Sequence, residues 1–174
     1  MKKCPKRVDL GRRQFLRGSG VAVAGVAAAA IAPASSSQAA TGGRANYPST
    51  RLANVKDLKV NKPIDISYPD DDSPGVLVKL GSRVDGGVGP DGDIVAYSVM
   101  CPHKGYTLEY NASDKTLNCP GHYSRFDCEM EGQQVFGHSN QSLPMFSLRV
   151  DASGDIRAEG VDELIYGRVE NIRA

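Results

Sequence analysis

The sequence after residue 40 predicts an all-β domain built from short antiparallel strands. Residues 63–68 alternate apolar and polar side chains with a period of two, which is typical of a strand with one face in water. Two further stretches, 146–150 and 155–159, flank the tetrapeptide Asp-Ala-Ser-Gly and predict a hairpin. Because no stretch of this region shows a convincing helical period, we expect strands throughout.

The strands between these stretches lead into and out of two short motifs. Residues 76–80 form a mostly apolar strand, and residues 93–100 form another that ends directly at a cysteine. Shorter strands at 116–118 and 124–128 flank a second cysteine motif. Residues 81–93 hold five glycines but lack the Gly-Lys-Ser/Thr ending of a phosphate-binding loop, so we interpret them as an exposed loop. Each motif is thus expected at a strand end, which holds side chains more rigidly than a free loop.

Two motifs carry the chemistry of this sequence. They read Cys101-Pro102-His103-Lys104-Gly105 and Cys119-Pro120-Gly121-His122. Each offers one thiolate and one imidazole at a spacing so short that both side chains can converge on a metal without a helix between them. We therefore expect a metal site with four ligands: Cys101, His103, Cys119 and His122.

Two kinds of metal centre accept this ligand set. Zinc binds two thiolates and two imidazoles in closed tetrahedral sites, but zinc fingers group Cys with Cys and His with His, whereas each motif here mixes the two. In a Rieske 2Fe-2S centre, two Cys hold one iron and two His hold the other. If each motif gives one ligand to each iron, Cys101 and Cys119 share one iron while His103 and His122 share the other. The mixed motifs favour the 2Fe-2S cluster, and zinc is the alternative.

One cysteine and one histidine of residues 41–174 remain outside the motifs. Cys128 has no free cysteine to pair with in this region, so no intrachain disulfide is expected. We expect Cys128 to be a small buried core residue, with a redox role as the alternative. His138 lies in a polar setting, which indicates a surface residue rather than a ligand.

Residues 1–40 have the composition of an export signal. Seven Lys or Arg residues and one Asp precede a weakly apolar run of Gly, Ala and Val at 18–32, and small residues suited to cleavage follow. The run Gly11-Arg12-Arg13-Gln14-Phe15-Leu16-Arg17 resembles a twin-arginine signal, whose translocase accepts folded proteins. We therefore expect a periplasmic protein. A retained membrane anchor is the alternative. Such an anchor needs about 20 apolar residues, whereas the run at 18–32 is shorter and rich in Ala and Gly.

Charge and length define the remainder of the chain. Without the first 40 residues, 14 basic residues face 19 acidic ones. Since no basic patch remains, nucleic acid is not an expected partner. At 174 residues the chain is interpreted as a signal at 1–40 followed by one domain at 41–174.

Beyond the two motifs, residues 86–90, 93–98 and 160–168 resemble the small subunit of arsenite oxidase, a Rieske protein. The resemblance runs from about residue 60 to the end. It implies a Rieske-type antiparallel β sandwich or barrel with an inserted cluster-binding subdomain at about residues 95–147. It also implies a heterodimer with a molybdopterin-containing large subunit that oxidises arsenite. This chain would then pass electrons to a soluble acceptor such as cytochrome c or a small copper protein.

The resemblance extends to residues around the cluster. Ser124 matches a serine that hydrogen-bonds a cluster sulfide, and Pro144 matches the proline segment that covers the cluster, with an ordinary turn as the alternative. Phe126 stands where respiratory Rieske proteins have a tyrosine whose hydroxyl bonds a ligand sulfur. We therefore expect a reduction potential lower than that of the respiratory proteins. Tyr106 and Gly121 occupy the positions of the respiratory disulfide. Rigidity between the loops is therefore expected to come from packing.

Two other Rieske carriers are alternatives. The ferredoxin of an aromatic-ring dioxygenase also lacks the disulfide, but it is normally cytoplasmic, and the export signal weighs against it. The quinol-oxidising subunit of a respiratory complex needs a retained anchor and prefers the disulfide cysteines. Neither is expected here, because we expect the signal at 1–40 to be cleaved and positions 106 and 121 hold no cysteine.

Overall fold

The structure is a computed structural model that describes residues 46–172. The predicted export signal at 1–40 lies outside the described residues. Within 46–172 the chain forms ten strands and one 3-10 helix, Val55–Asp57, but no α-helix, which confirms the all-β prediction. No helix in this range has the length and apolarity needed to span a bilayer. The strands are β1 Thr50–Asn54, β2 Ile64–Ser67, β3 Pro74–Lys79, β4 Ile94–Ser98, β5 Glu109–Asn111, β6 Thr116–Asn118, β7 Arg125–Asp127, β8 Gln133–Phe136, β9 Phe146–Val150 and β10 Asp155–Val161.

These strands form three antiparallel sheets. The base sheet has the order β1-β10-β9, the central sheet β2-β3-β4, and the loop sheet β5-β6-β7-β8. An isolated bridge between Tyr97 of β4 and Met145, just before β9, joins the central sheet to the base sheet. The loop sheet lies between β4 and β9 in the chain, within the interval 95–147 that the sequence predicts for cluster binding.

The central sheet separates two hydrophobic cores, because successive side chains of a strand point to opposite faces. The core shared with the loop sheet includes Val76, Val78, Val95, Tyr97, Leu117 and Phe126. The core shared with the base sheet includes Leu77, Ile94, Ala96, Phe146 and Ile156. Both motif cysteines, Cys101 and Cys119, belong to the first core. The cysteine motifs are therefore supported from below by the apolar face of β3 and β4.

The predicted hairpin is confirmed. β9 and β10 pair antiparallel, with Val150 opposite Ile156. In the turn between them, the Asp151 carboxylate accepts hydrogen bonds from the backbone N–H groups of Ser153 at 2.9 Å and Asp155 at 3.1 Å. Such bonds are the reason that Asp favours the start of a turn.

Three observed strands, β1, β5 and β8, are not predicted from the sequence. Each lies at an edge of its sheet. The two edge strands of the loop sheet contain no buried residue. Since an edge strand of this kind has no face that must be apolar, it lacks the alternation on which strand prediction depends.

Candidate metal centre

The first ligand loop, residues 101–106, follows β4 and is closed by its own backbone. The N–H of Cys101 donates to the carbonyl of Tyr106 at 2.9 Å, and the N–H of Gly105 donates to the carbonyl of Cys101 at 2.8 Å. A bridge between Met100 and Thr107 fastens the base of the loop. Cys101 therefore stands at the start of a closed turn.

The second ligand loop, residues 119–124, connects β6 to β7 and repeats this pattern. The N–H of Cys119 donates to the carbonyl of Ser124 at 2.8 Å, and the N–H of Tyr123 donates to the carbonyl of Cys119 at 3.1 Å. The two loops thus form the same hydrogen-bonded turn, although the histidine stands two residues after the cysteine in one and three residues after it in the other.

The loops bring like side chains together. Cys101 and Cys119 are both buried in the same hydrophobic core, and their thiols are close enough to interact. The imidazoles of His103 and His122 meet edge to face with ring centres 4.7 Å apart. His122 is exposed and His103 is half-buried. One thiol pair therefore lies inside and one imidazole pair lies at the surface, with each loop giving one member to each pair.

Both the thiol pair and the imidazole pair contain atoms that are suited to binding a metal. Nδ1 of His103 is buried and has no hydrogen-bond partner within residues 46–172, a situation that costs roughly 1–3 kcal/mol unless another group binds the atom. Burial, and then the neighbouring His122, lower the pKa of His103, which favours the neutral imidazole that metals require. Burial raises the pKa of the Cys101 thiol, while the backbone N–H groups of His103 and Lys104 favour its thiolate. These donors fit a cluster held by thiolates and imidazoles.

Ser124, the last residue of the second ligand loop, binds the segment that follows β8. Its hydroxyl oxygen is buried and accepts hydrogen bonds from the backbone N–H groups of His138 and Ser139, both at 3.1 Å. Since both bonds use the oxygen as acceptor, the hydroxyl proton remains available for a further acceptor. Ser124 therefore holds residues 137–139 against the second ligand loop.

His138 is exposed, as the sequence predicts, but it lies beside the imidazole pair. Its ring centre is 5.8 Å from that of His103, with the ring planes 28° apart, and 6.4 Å from that of His122. Sequence reasoning missed this proximity because no local spacing reports it. The position depends on the pairing of β7 with β8 and on Ser124.

Comparison with known proteins identifies the family of this chain. Residues 49–147, more than half of the chain, match the Rieske 2Fe-2S domain. The chain belongs to the Rieske family. It therefore carries one Rieske-type 2Fe-2S cluster, and its function is electron transfer.

Two curated relatives match almost the whole Rieske chain. The iodate reductase subunit IdrB of Denitromonas iodatirespirans is 37% identical over 169 residues, which cover 95% of this chain and 89% of that protein. The iodate reductase subunit IdrB of Pseudomonas sp. strain SCT is 37% identical over 165 residues, covering 93% and 84% respectively. Both relatives are subunits of an oxidoreductase.

Solved Rieske structures share the fold. The soluble domain of Rieske protein II from Sulfolobus acidocaldarius aligns with a TM-score of 0.63 and 24% identity, covering 71% of this chain and 82% of that one. A plasma membrane Rieske protein from Synechocystis aligns with a TM-score of 0.51 and 21% identity, covering 64% and 99%. At this identity the likeness concerns the fold alone.

Two further residues predicted to influence the Rieske cluster, Phe126 and Pro144, are both buried. Phe126 lies in the same core as the motif cysteines. The carbonyl of Pro144 accepts a hydrogen bond from the N–H of Ser98 at 2.9 Å, which ties this segment to β4. The segment seen against the imidazoles is residues 137–139, and the covering role of Pro144 stays a prediction.

Cys128 is buried in this Rieske core, as predicted. Burial raises the pKa of its thiol to about 12. The hydroxyl of Tyr97 donates to the Cys128 carbonyl at 3.0 Å and holds the backbone in place. A thiol that stays protonated at neutral pH behaves as a small apolar side chain.

Packing joins the two ligand loops at the positions of the respiratory disulfide. A Cβ atom placed on Gly121 would lie 2.9 Å from both Cδ2 and Cγ of Tyr106, so the tyrosine ring rests directly on the glycine backbone. The same ring meets His122 edge to face, with ring centres 5.7 Å apart. Tyr106 thus reaches from the first ligand loop to both the backbone and the imidazole of the second.

Proposed function

We propose that this Rieske protein is the electron-transfer subunit of a periplasmic arsenite oxidase. Cys101 and Cys119 would hold one iron of the cluster, and His103 and His122 would hold the other. The observation that supports this ligand set is the separation of a buried thiol pair from an imidazole pair at the surface. A 2Fe-2S cluster supplies one-electron transfer, so the two-electron conversion of the substrate belongs to another subunit.

The imidazole pair defines the electron-transfer surface. His122 is exposed and His103 is half-buried, whereas both cysteines lie in the core. A redox partner that docks here approaches the cluster through the imidazoles rather than through the sulfur atoms. His138 and Tyr106 border this surface and extend its aromatic area.

The partner in this proposal is a large subunit with a molybdopterin centre, and the two chains form a heterodimer. The molybdenum centre of that subunit would supply the two-electron oxidation of arsenite, and this chain would pass the electrons one at a time to a soluble acceptor such as cytochrome c or a small copper protein. Support comes from the glycine-rich loop at 86–90 and the tail at 160–168, which resemble the arsenite oxidase small subunit more narrowly than the cluster motifs do.

Iodate reduction is the second candidate, because two relatives that match over most of this chain are named as iodate reductase subunits. In that case the electrons run in the opposite direction, from a soluble donor through this chain to the subunit that reduces iodate. The direction of electron flow therefore distinguishes the two candidates.

The periplasm is the proposed location. The support is the twin-arginine pattern at 11–17, since a translocase for folded proteins can export a chain that already holds its cluster. Contact with the membrane is expected only if the signal is retained as an anchor.

A single preparation tests these proposals. The protein, tagged at its C-terminus, is affinity-purified from the periplasm of its native host and analysed for iron and molybdenum. Arsenite is added anaerobically to the oxidised sample, and iodate is added to a chemically reduced sample. Electron paramagnetic resonance (EPR) spectra then report the reduced Rieske cluster in each.

Arsenite oxidase predicts molybdenum in the purified complex and a Rieske signal that appears on addition of arsenite. Iodate reductase predicts molybdenum and a signal that disappears on addition of iodate, without any response to arsenite. Iron alone, with a signal that only a chemical reductant produces, would contradict both and favour a Rieske carrier of another system, such as a dioxygenase ferredoxin or a quinol-oxidising complex. A protein that contains zinc and gives no EPR signal would contradict the cluster itself.

A further inference from the structure

The tail after β10 reaches back to the first ligand loop through Tyr166. A Cβ atom placed on Gly105 would lie 2.5 Å from Cε1 and 2.6 Å from Cδ1 of Tyr166, so the ring rests against the glycine backbone. Gly105 closes the turn by donating its N–H to the carbonyl of Cys101. The Tyr166 ring therefore covers the turn that carries Cys101 and His103.

The tail is fastened on the C-terminal side of Tyr166 by Asn171. The Asn171 side chain is buried, accepts a hydrogen bond from the N–H of Ile165 at 2.9 Å, and donates to the hydroxyl of Tyr47 at 3.0 Å and the carbonyl of Glu163 at 2.8 Å. This one amide closes the tail from 163 to 171 into a loop. Ile165, next to Tyr166, is itself buried in the core beneath the base sheet.

Arg168 anchors the same loop to the turn between β2 and β3 of the central sheet. Its guanidinium side chain is only 6% exposed and binds both carboxylate oxygens of Asp70, at 2.7 and 2.8 Å. A paired, largely buried fork of this kind holds geometry better than an exposed ion pair. Tyr166 thus projects from a loop that is fixed on both sides, although its own side chain remains 40% exposed.

A half-exposed ring held so firmly against a ligand loop contributes little to the core. Its contact falls on Gly105, which closes the turn that carries Cys101 and His103. The orientation of the ligands and the hydrogen bonds around them set the potential of an iron-sulfur cluster, and hydrogen bonds to ligand sulfur raise it. A residue that keeps this turn in shape therefore acts on the cluster without touching it.

We propose that Tyr166 is a positioning residue for the Rieske centre, with its ring clamping the first ligand loop at Gly105 from a tail anchored by Asn171 and Arg168. Tyr106 links the two ligand loops, because its ring extends from the first ligand loop, which Tyr166 contacts, onto Gly121 of the second. This proposal rests on the ligand set proposed above, but not on the identity of the substrate.

The test compares Tyr166→Ala and Tyr166→Phe in the full protein purified from its host. We expect the alanine variant to lose its cluster to a chelator roughly threefold to tenfold faster, as judged by visible absorbance, and to show a lower reduction potential in an EPR-monitored titration. We expect the phenylalanine variant to match the wild type in both, because the ring makes the contact. Leu164→Ala, an exposed apolar change in the same tail, is the control and should change neither.

Three outcomes would overturn the proposal. An unchanged potential and cluster lifetime in Tyr166→Ala would show that the ring has no influence on the centre. A faster loss of cluster with an unchanged potential and a lower melting temperature would show general destabilisation instead. Equal defects in the alanine and phenylalanine variants would assign the effect to the hydroxyl.

The wild type separates this proposal from the proposed function. If the wild type itself lacks a Rieske spectrum, the ligand set fails and this proposal fails with it. A wild-type Rieske spectrum with no response to arsenite or iodate affects only the proposed substrate.

Discussion

The two ligand loops have the same backbone conformation, but they differ in the residues that surround it. In each, the residue four places after the cysteine has a left-handed backbone, Gly105 with φ of +69° and Tyr123 with φ of +60°. At Gly105 a side chain would collide with Tyr166. At Tyr123 the side chain is 72% exposed and meets water.

This difference shows that the demand for glycine comes from the neighbour as well as from the turn. A left-handed conformation costs a residue with a Cβ atom about 1–2 kcal/mol, and the second ligand loop accepts that cost at Tyr123. The first ligand loop is covered by the tail and has no room for a side chain there. The second ligand loop is instead held by Ser124, whose hydroxyl oxygen accepts hydrogen bonds from the backbone N–H groups of residues 138 and 139.

Gly105→Ala is expected to have the largest effect, because it tests directly whether Tyr166 leaves no room for a side chain in the first ligand loop. The variant adds left-handed strain and pushes a methyl group into the Tyr166 ring, so we expect a loss of roughly 2–5 kcal/mol in stability and a large loss of bound iron. Thermal unfolding and iron analysis measure both effects. Gly167→Ala is the matched control, because Gly167 has φ of +81° with no atom within 4 Å of the added Cβ. If the two variants lose the same stability, the tail exerts no steric demand on the first ligand loop.

Removing the support of the second ligand loop should have the next largest effect. Ser124→Ala leaves two backbone N–H groups near the centre without their acceptor, at a cost of about 1–3 kcal/mol, and it removes a hydroxyl proton that the family resemblance directs to a cluster sulfide. We expect lower stability together with a lower reduction potential. Denaturant unfolding and a redox titration provide the two measurements.

A polar side chain of the base sheet separates these two effects. The Asn54 side-chain oxygen accepts a hydrogen bond from the backbone N–H of Lys56 at 3.1 Å, and its amide group donates to the Asp155 carboxylate at 2.9 Å. Asn54→Ala should reduce stability without moving the potential. A potential that stays constant in Ser124→Ala would contradict the role of its hydroxyl, even if the protein is destabilised.

The sequence alone predicted the parts of this site that depend on local spacing. The two cysteine motifs, the strands that lead into them and the hairpin at 151–154 all follow from patterns of a few residues. What it could not predict depends on contacts between distant segments. His138 reaches the imidazoles only through the irregular pairing of β7 with β8, and Tyr166 reaches Gly105 only because the tail folds back across the domain. The edge strands β5 and β8 were also missed, since exposed positions on both faces leave no apolar pattern.

The two cores offer a finer comparison through Phe126 and Phe146. Both rings are buried, but Phe126 shares its core with the motif cysteines and Phe146 lies in the other. Phe126→Tyr should raise the reduction potential, because a hydroxyl that bonds a ligand sulfur stabilises the reduced cluster. Phe146→Tyr buries a hydroxyl in the core that does not contain the motif cysteines and should only lower stability. Protein-film voltammetry distinguishes them, and an unchanged or lower potential in Phe126→Tyr would refute this explanation.

The smallest effect is expected from Tyr123→Gly, which gives the second ligand loop the residue that the first has at the same place. The change relieves about 1–2 kcal/mol of left-handed strain, but it also frees the unfolded chain by roughly 0.4–1 kcal/mol. Because the exposed side chain loses little packing, we expect stability to rise by at most about 1.6 kcal/mol, with unchanged iron content and potential. Thermal unfolding at fixed pH measures the shift. A marked loss of stability or iron would mean that the Tyr123 ring supports its loop as Tyr166 supports the other, and the two loops would then differ only in where their aromatic cover originates.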